Sequence, residues 1–310
     1  MSTKFPCDKG ERAEPFGPYH ARVTAVTSYL GAWDLALVPA TALLAVAGAY
    51  LAGVVRVRQV RGTVWPRRRT VPFLAGVALL AVAVVGPVGA WDDTFFWDHM
   101  VQHMIMTIAA VPLIVFGAPV LLLLEASSPA LRRRVLVPAL RSRLVVLLTR
   151  PLVGWVVMAG ALLGTHFTGF YNFAISHPLA HAYVEHPLYI TAAFLFYYPL
   201  LGDNPVPHGP SPLVKVVSLF AMGAPMSMTG FFIYTARSVL YPAYTRVDRP
   251  FGPSPLADQQ LAGALMWCVG MVIEITWVGF AVHSWLREEA RSAERSDRAV
   301  LAERARTASS

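Results

Sequence analysis

Long apolar runs separated by short charged clusters make up most of the chain. Four of these runs carry no formal charge between the residues that bound them: Asp34 to Arg56, Arg69 to Asp92, Asp98 to Glu125, and Lys215 to Arg237. Each exceeds the roughly 20 residues that an α-helix needs to cross about 30 Å of hydrocarbon. The pattern therefore predicts a transmembrane helix in each run.

Three further apolar runs are shorter or interrupted. They predict additional spans at about residues 152–175, 187–201 and 259–285. Glu274 interrupts the last run, and because a carboxylate facing lipid is costly, its side chain should face the bundle. Gly160 and Gly164 have the small-residue spacing that predicts close helix packing. The whole pattern predicts an all-α membrane protein, a bundle of seven transmembrane helices.

Arginine is distributed unevenly between the predicted loops. Six arginines lie between spans 1 and 2, six between spans 3 and 4, and six after Trp285. Short basic loops stay on the cytoplasmic side, so the N-terminus should lie outside and the C-terminus in the cytoplasm. The predicted division is an exoplasmic tail at 1–30, a membrane domain at 31–286 and a cytoplasmic tail at 287–310.

The composition supports the membrane assignment and argues against nucleic-acid binding. Hydrophobic residues make up 55% of the 310 positions and charged residues only 14%, whereas a soluble domain carries about 25% charged residues. The net charge of +8 is explained by topology-determining loops beside anionic lipid, not by nucleic acid. With only Cys7 and Cys268, no disulfide framework is expected.

Six of the nine histidines fall at the ends of spans 3, 4 and 5 that this topology places outside. The spacing of His99 and His103 puts both imidazoles on one helix face. Neutral imidazole is a ligand for late first-row metals, and ionisable residues inside membranes are usually functional. The predicted metal ligands are His99, His103, His166, His177, His181 and His186.

Methionines and aspartates also lie near this side of the predicted bundle. Thioether sulfur prefers soft ions such as Cu(I), although a single methionine in an apolar helix usually only packs. The weaker metal candidates are Met100, Met104, Met106, Met226 and Met228. The carboxylates of Asp92, Asp93 and Asp98 are interpreted as solvated loop charges.

The histidines stand in an order that resembles a known family. The residues concerned are Trp97-Asp98-His99-Met100-Val101-Gln102-His103-Met104, Phe116-Gly117-Ala118-Pro119, Thr165-His166, His177-Pro178, His181 and Glu185-His186. Over about residues 30–285, the chain resembles the polytopic CtaG-type cytochrome c oxidase assembly factors of bacteria. The resemblance implies a multi-pass protein of the bacterial plasma membrane that is not an enzyme and handles copper for the oxidase. The implied partners are oxidase subunits, membrane lipid and a copper chaperone.

The resulting hypothesis is that the outer histidines bind copper, preferably as Cu(I), and support its insertion into the oxidase. In this hypothesis His166 and nearby methionines act as exchange ligands. Two alternatives are a membrane di-iron oxygenase and a haem-binding redox protein with axial histidines. A third is a copper transporter with a path along Met222, Met226 and Met228. The sequence leaves these alternatives open.

Overall fold

The computed structural model describes residues 26–33 and 37–309, and their regular structure is helical throughout, without strands. The principal helices are α1 (Leu37–Arg61), α2 (Arg67–Val84), α3 (Phe96–Met104), α4 (Val111–Phe116), α5 (Pro119–Ala126), α6 (Pro151–His166), α7 (His186–Tyr197), α8 (Pro212–Thr235) and α9 (Pro255–Ser309). Short α-helices lie at Pro87–Trp91, Pro129–Leu131, Val137–Leu140, Arg143–Leu148, Phe170–Ile175 and Pro178–Ala180, and a 3₁₀ turn lies at Pro242–Thr245.

Five helical segments in the described residues are long and apolar enough to cross a membrane, which makes this a multi-pass membrane protein. They are Leu37–Arg61, Arg67–Trp91, Phe96–Ala126, Pro212–Thr235 and Pro255–Arg298. The predicted spans at 152–175 and 187–201 correspond to shorter helices, α6 and α7. The count of seven spans and the orientation of the termini stay predictions. The last helix continues beyond the predicted boundary at residue 286 without a break.

In the described part of the chain, three π-helical segments interrupt the α-helical pattern, at Ile105–Ala110, Arg132–Leu136 and His181–Glu185. Each is followed, two residues after its end, by a proline: Pro112, Pro138 and Pro187. Proline has no N–H to donate to the carbonyl four residues earlier, and its ring clashes with that carbonyl. The turn before each proline is therefore free to widen. The Ile108 carbonyl, which receives no hydrogen bond from Pro112, accepts one from Trp277 Nε1 at 2.7 Å instead.

A closed ring of helices surrounds the interior of the bundle. Around this ring, α3 packs against α9, α9 against α8, α8 against α6, and α6 against α7. The segment Ile105–Ala110 contacts α7 and closes the ring. Side chains that point inward from these helices are removed from lipid, so the ring can hold polar groups.

Glycines permit the closest helix contacts within this ring. A Cβ atom on Gly263 of α9 would lie 2.5 Å from the backbone nitrogen of Tyr234, and one on Gly154 of α6 would lie 2.7 Å from the Leu195 carbonyl. The prediction of close packing at Gly160 and Gly164 was wrong, because no atom lies within 4 Å of a Cβ placed at either position. On α6, the glycine in close contact with a neighbouring helix is Gly154, and not the Gly160–Gly164 pair that the spacing indicated.

Candidate metal centre

Seven polar side chains meet in the interior on one side of the bundle and form what we call the histidine–carboxylate cluster. All are buried: Asp92, His99, Gln102, His103, His181, Glu185 and His186. Two elements supply most of them, α3 and the π segment His181–Glu185 with the first residue of α7. The cluster thus depends on packing between segments that are some 80 residues apart in sequence.

Glu185 lies at the centre of the cluster and is fully buried. Its Oε1 atom is 3.7 Å from His99 Nε2 and 3.8 Å from His103 Nε2. Neither Oε1 nor any ring nitrogen of the two histidines has a hydrogen-bond partner. Two ligands that each lie about 2 Å from one ion are at most about 4 Å apart. The distance from Glu185 Oε1 to each of the two histidine nitrogens is therefore short enough for the pair to share a metal ion.

His181 links this group to a second one. Its Nδ1 atom is 2.9 Å from Glu185 Oε2, and its Nε2 atom is 3.1 Å from Asp92 Oδ2. Burial lowers the pKa of His181, but the hydrogen bonds and negative charges of Asp92 and Glu185 outweigh burial and raise this pKa to about 10. The ring is therefore protonated at neutral pH, and a metal that binds it must displace a proton.

Gln102 contacts both Asp92 and His186 and fixes their orientation. Its side-chain nitrogen donates hydrogen bonds to Asp92 Oδ2 and, at 2.9 Å, to the Ala83 carbonyl. Its Oε1 must then accept from His186 Nε2, 3.1 Å away. This leaves Nδ1 as the lone-pair nitrogen of neutral His186. Potential ligand atoms of two triads lie within 4.8 Å of one another: Asp92, His181 and His186, and His99, His181 and Glu185.

The π segment explains why His181 and His186 are neighbours. Residues five apart on an α-helix are about 140° apart around the axis. A π turn closes on the fifth residue, as in the hydrogen bond from the His186 N–H to the His181 carbonyl. The two ring centroids are consequently only 4.4 Å apart. Pro187 therefore affects which histidines can act together.

Asp258 of α9 holds the start of the helix that carries His99 and His103. No side chain of its own caps α3. The buried Asp258 carboxylate accepts hydrogen bonds from the backbone N–H groups of Phe96 at 3.0 Å and Trp97 at 2.9 Å, and from Arg249 Nη1 at 2.8 Å. A carboxylate at a helix N-terminus satisfies unpaired N–H groups and complements the helix dipole. Asp258 is thus a positioning residue for the cluster.

Comparison with known proteins identifies the chain. The family described as cytochrome c oxidase caa3 assembly factor (Caa3_CtaG) matches residues 48–288. The protein belongs to this family. The match covers most of the chain, including every residue of the histidine–carboxylate cluster.

The chain is also similar to longer mycobacterial proteins. It is 28% identical over 269 residues to an uncharacterized protein of Mycobacterium leprae, which covers 84% of this chain and 40% of the relative. Uncharacterized proteins of Mycobacterium bovis and Mycobacterium tuberculosis are each 28% identical over 291 residues, covering 92% of this chain and 43% of the relative. The chain thus spans less than half the length of these curated relatives. No solved structure matches it significantly.

The structure brings four of the six predicted histidine ligands together. The ring centroids of His99 and His103 are 4.2 Å apart, and those of His99 and His181 are 5.0 Å apart. His186 completes the set. His177 lies outside it: the side chain is exposed and its Nδ1 is 2.7 Å from the Phe173 carbonyl.

His166 is buried beside the cluster with a fixed tautomer. Its Nδ1 is 2.9 Å from the Leu162 carbonyl, which can only accept, so Nδ1 carries the hydrogen. The lone pair is then on Nε2, which has no hydrogen-bond partner. This atom is available as a ligand.

The five methionine candidates fall into three environments. Met100, Met104 and Met226 are buried in one apolar cluster with Met266. Met106 is fully buried elsewhere, against Leu80 and Ala83. Met228 is 71% exposed on the outside of the bundle. Only the first three lie where they could share an ion with the histidines.

The interpretation of the aspartates as solvated loop charges was wrong for two of the three. Asp98 is fully buried and accepts a hydrogen bond from Tyr29, and Asp92 is part of the cluster, whereas Asp93 is exposed. Sequence reasoning also missed the central role of Glu185. Its spacing of four from His181 and its position directly before His186 were the available signal, because such spacing places carboxylate and imidazole on one helix face.

Proposed function

We propose that the protein binds copper in the histidine–carboxylate cluster and passes it to cytochrome c oxidase during assembly of the oxidase. The main support is that buried atoms of His99, His103 and Glu185 lie close together and have no hydrogen-bond partners. An unsatisfied buried polar group costs about 1–3 kcal/mol. A bound cation would satisfy several such groups at once, and the family description supplies the oxidase.

The donor set suits an ion that has to be released again. Neutral imidazoles and a carboxylate bind Cu(II) and Cu(I) less firmly than a closed thiolate cage. His166 and the thioethers of Met100, Met104 and Met226 act as exchange ligands next to His103. His177 is proposed as an outer contact for an arriving ion, since its side chain is exposed.

The proposed route of copper is from the exoplasmic side. The arginine-rich loops are assigned to the cytoplasm, so a seven-span topology with the N-terminus outside places the cluster near the outer face of a bacterial plasma membrane. A cavity of about 460 Å³ reaches Asp92, His181 and His186, and its wall includes the exposed residues Asp93 and Pro178. Copper and a docking oxidase subunit would therefore meet at the same surface.

A second candidate function is supported by the same geometry. Two histidines and one carboxylate, here His99, His103 and Glu185, are also the donor set of non-haem Fe(II) oxygenases. In that case the purified protein would contain iron and would oxidise a lipid substrate. Metal analysis separates the two proposals.

The proposal is tested by the metal content of the purified protein and by oxidase assembly in cells. Wild-type protein should contain copper in at least equimolar amount, and the variant with His99→Ala and His103→Ala should contain almost none. His283→Ala, an exposed position near the arginine-rich loops, is the matched control. Cells with the double variant should lose copper-dependent oxidase activity. Unchanged copper in the double variant would overturn the proposal.

A further inference from the structure

A second group of potential ligands lies deeper in the bundle than the histidine–carboxylate cluster. Six of the chain's ten methionines line a single cavity of about 40 Å³, which we call the methionine chamber. They are Met100, Met104, Met158, Met222, Met226 and Met266. The chamber exceeds the roughly 10–15 Å³ that one water molecule needs, so it has room for one small ion.

The methionines of the chamber come from four separate helices. α3 contributes two of them, α6 one, α8 two and α9 one. All are at most 8% exposed, whereas Met228 on α8 and Met271 on α9 are exposed. Met158 precedes His166 by eight residues on α6, which places it about 12 Å farther along the helix. The chamber is therefore near the middle of the bundle.

Two imidazoles border the chamber on the side of the cluster. His103 belongs to both sites, and His166 lines the chamber while its Nε2 lone pair has no partner. His166 is only 6% exposed, so an unsatisfied nitrogen at this position is costly unless a ligand occupies it. Methionine side chains that only pack against one another would leave the Nε2 atom of His166 without a partner.

The chemistry of the chamber fits a soft monovalent cation. Thioethers select soft ions such as Cu(I), which neutral imidazoles also bind. A single charge also costs less to bury than two. Tyr197, which lines the chamber, donates a hydrogen bond to Glu274 Oε2 at 2.7 Å, and Glu274 Oε1 is buried without a partner. This carboxyl group lies behind the tyrosine as a source of compensating charge.

We propose that the methionine chamber is a second, intramembrane Cu(I) site, connected to the histidine–carboxylate cluster through His103 and His166. The inference rests on the proposed function, because the cluster is the route by which copper reaches the chamber. No change in oxidation state is involved: the ion exchanges imidazole and carboxylate ligands for thioethers. The protein would thus hold a copper reserve behind its exchange site.

The test is anaerobic titration of the full-length protein in detergent with Cu(I), followed by X-ray absorption. Wild-type protein should show sulfur scatterers at about 2.3 Å in addition to imidazole. The variant with Met104→Leu and Met226→Leu, which conserves volume, should lose the sulfur signal and bind one Cu(I) fewer while imidazole ligation remains. If that variant does not fold, Met222→Leu with Met266→Leu takes its place.

The controls separate this proposal from the proposed function. Met106→Leu and Met228→Leu, both outside the chamber, should leave the sulfur signal unchanged. Absence of sulfur scattering in wild-type protein that retains imidazole-bound copper would overturn the chamber alone. Sulfur-bound copper that persists in the variant with His181→Ala and Glu185→Gln, while the total number of copper ions bound falls, supports a separate chamber. Equal loss of sulfur signal in the control variants would also overturn it.

Discussion

At the residue scale, Glu185 is the central test position, because its Oε1 atom is 3.7 Å from His99 Nε2 and 3.8 Å from His103 Nε2. Glu185→Gln keeps the size of the side chain but removes its charge. We expect the affinity for copper to fall at least about tenfold, the range typical of altered metal-site partners. Competition titration against a copper chelator measures this change. Glu288→Gln, an exposed position, is the control, and equal affinities in the two variants would contradict the assignment.

The meeting of four histidines could be predicted from sequence, but the burial of Asp92 could not. Spacing of four residues put His99 and His103 on one face, and charge placement put both near the His181–His186 segment, as the structure has them. Asp92 was misread because it follows an apolar run and so looks like a loop charge. Its burial depends on Gln102 and His181, which pack against it from other parts of the chain.

At the element scale, the π segment before Pro187 sets the arrangement of His181 and His186. Pro187→Ala restores an N–H that can bond to the Tyr183 carbonyl and favours a regular α-helix. We expect a folded protein in which the two rings separate and copper affinity falls about 10–100-fold. Pro138→Ala, after the π segment at Arg132–Leu136, should leave copper affinity unchanged. The comparison is made by titration and thermal unfolding, and equal affinities would refute it.

The cap on α3 is a second element whose removal has a predictable cost. Asp258→Ala leaves two backbone N–H groups and the Arg249 guanidinium without their buried partner. We expect the free energy of unfolding to fall by about 3–5 kcal/mol, as for other broken buried pairs. Denaturation in detergent measures the loss. The exposed Asp93→Ala should be nearly neutral, and a comparable stability of both variants would show that Asp258 does not hold the helix.

Helix positions were predictable where apolar runs are long, and less so where they are short. The runs bounded by Arg69 and Asp92 and by Lys215 and Arg237 correspond to helices of spanning length. The predicted span at 152–175 instead ends as α6 at His166. Periodicity of 3.6 residues also could not reveal the π turns, although the prolines that follow them were visible in the sequence.

At the scale of the whole molecule, the central prediction is that the histidine side faces outward and the arginine side faces the cytoplasm. Single cysteines at Ser176 and Thr63, both exposed, test this after Cys7 and Cys268 are changed to serine. A membrane-impermeant maleimide should label Ser176→Cys in intact cells and Thr63→Cys only after permeabilisation. The reverse pattern would invert the topology, and labelling of both would contradict an odd number of spans between them.

The whole fold makes one polar interior inside an apolar bundle. A ring of helices shields the histidine–carboxylate cluster and the methionine chamber from lipid. Apolar patterning predicted the bundle, since that pattern is set by the surrounding hydrocarbon. The interior could be predicted only in part, because it depends on which helix faces meet.

The most direct test is X-ray absorption at the copper edge on copper-loaded protein in which Met104→Leu and Met226→Leu have removed chamber sulfur. The account predicts nitrogen and oxygen scatterers at about 2 Å, with less bound copper and weaker imidazole features in the additional His99→Ala, His103→Ala variant. Copper without imidazole scattering, or bound copper and imidazole features that are unchanged by the loss of both histidines, would contradict it.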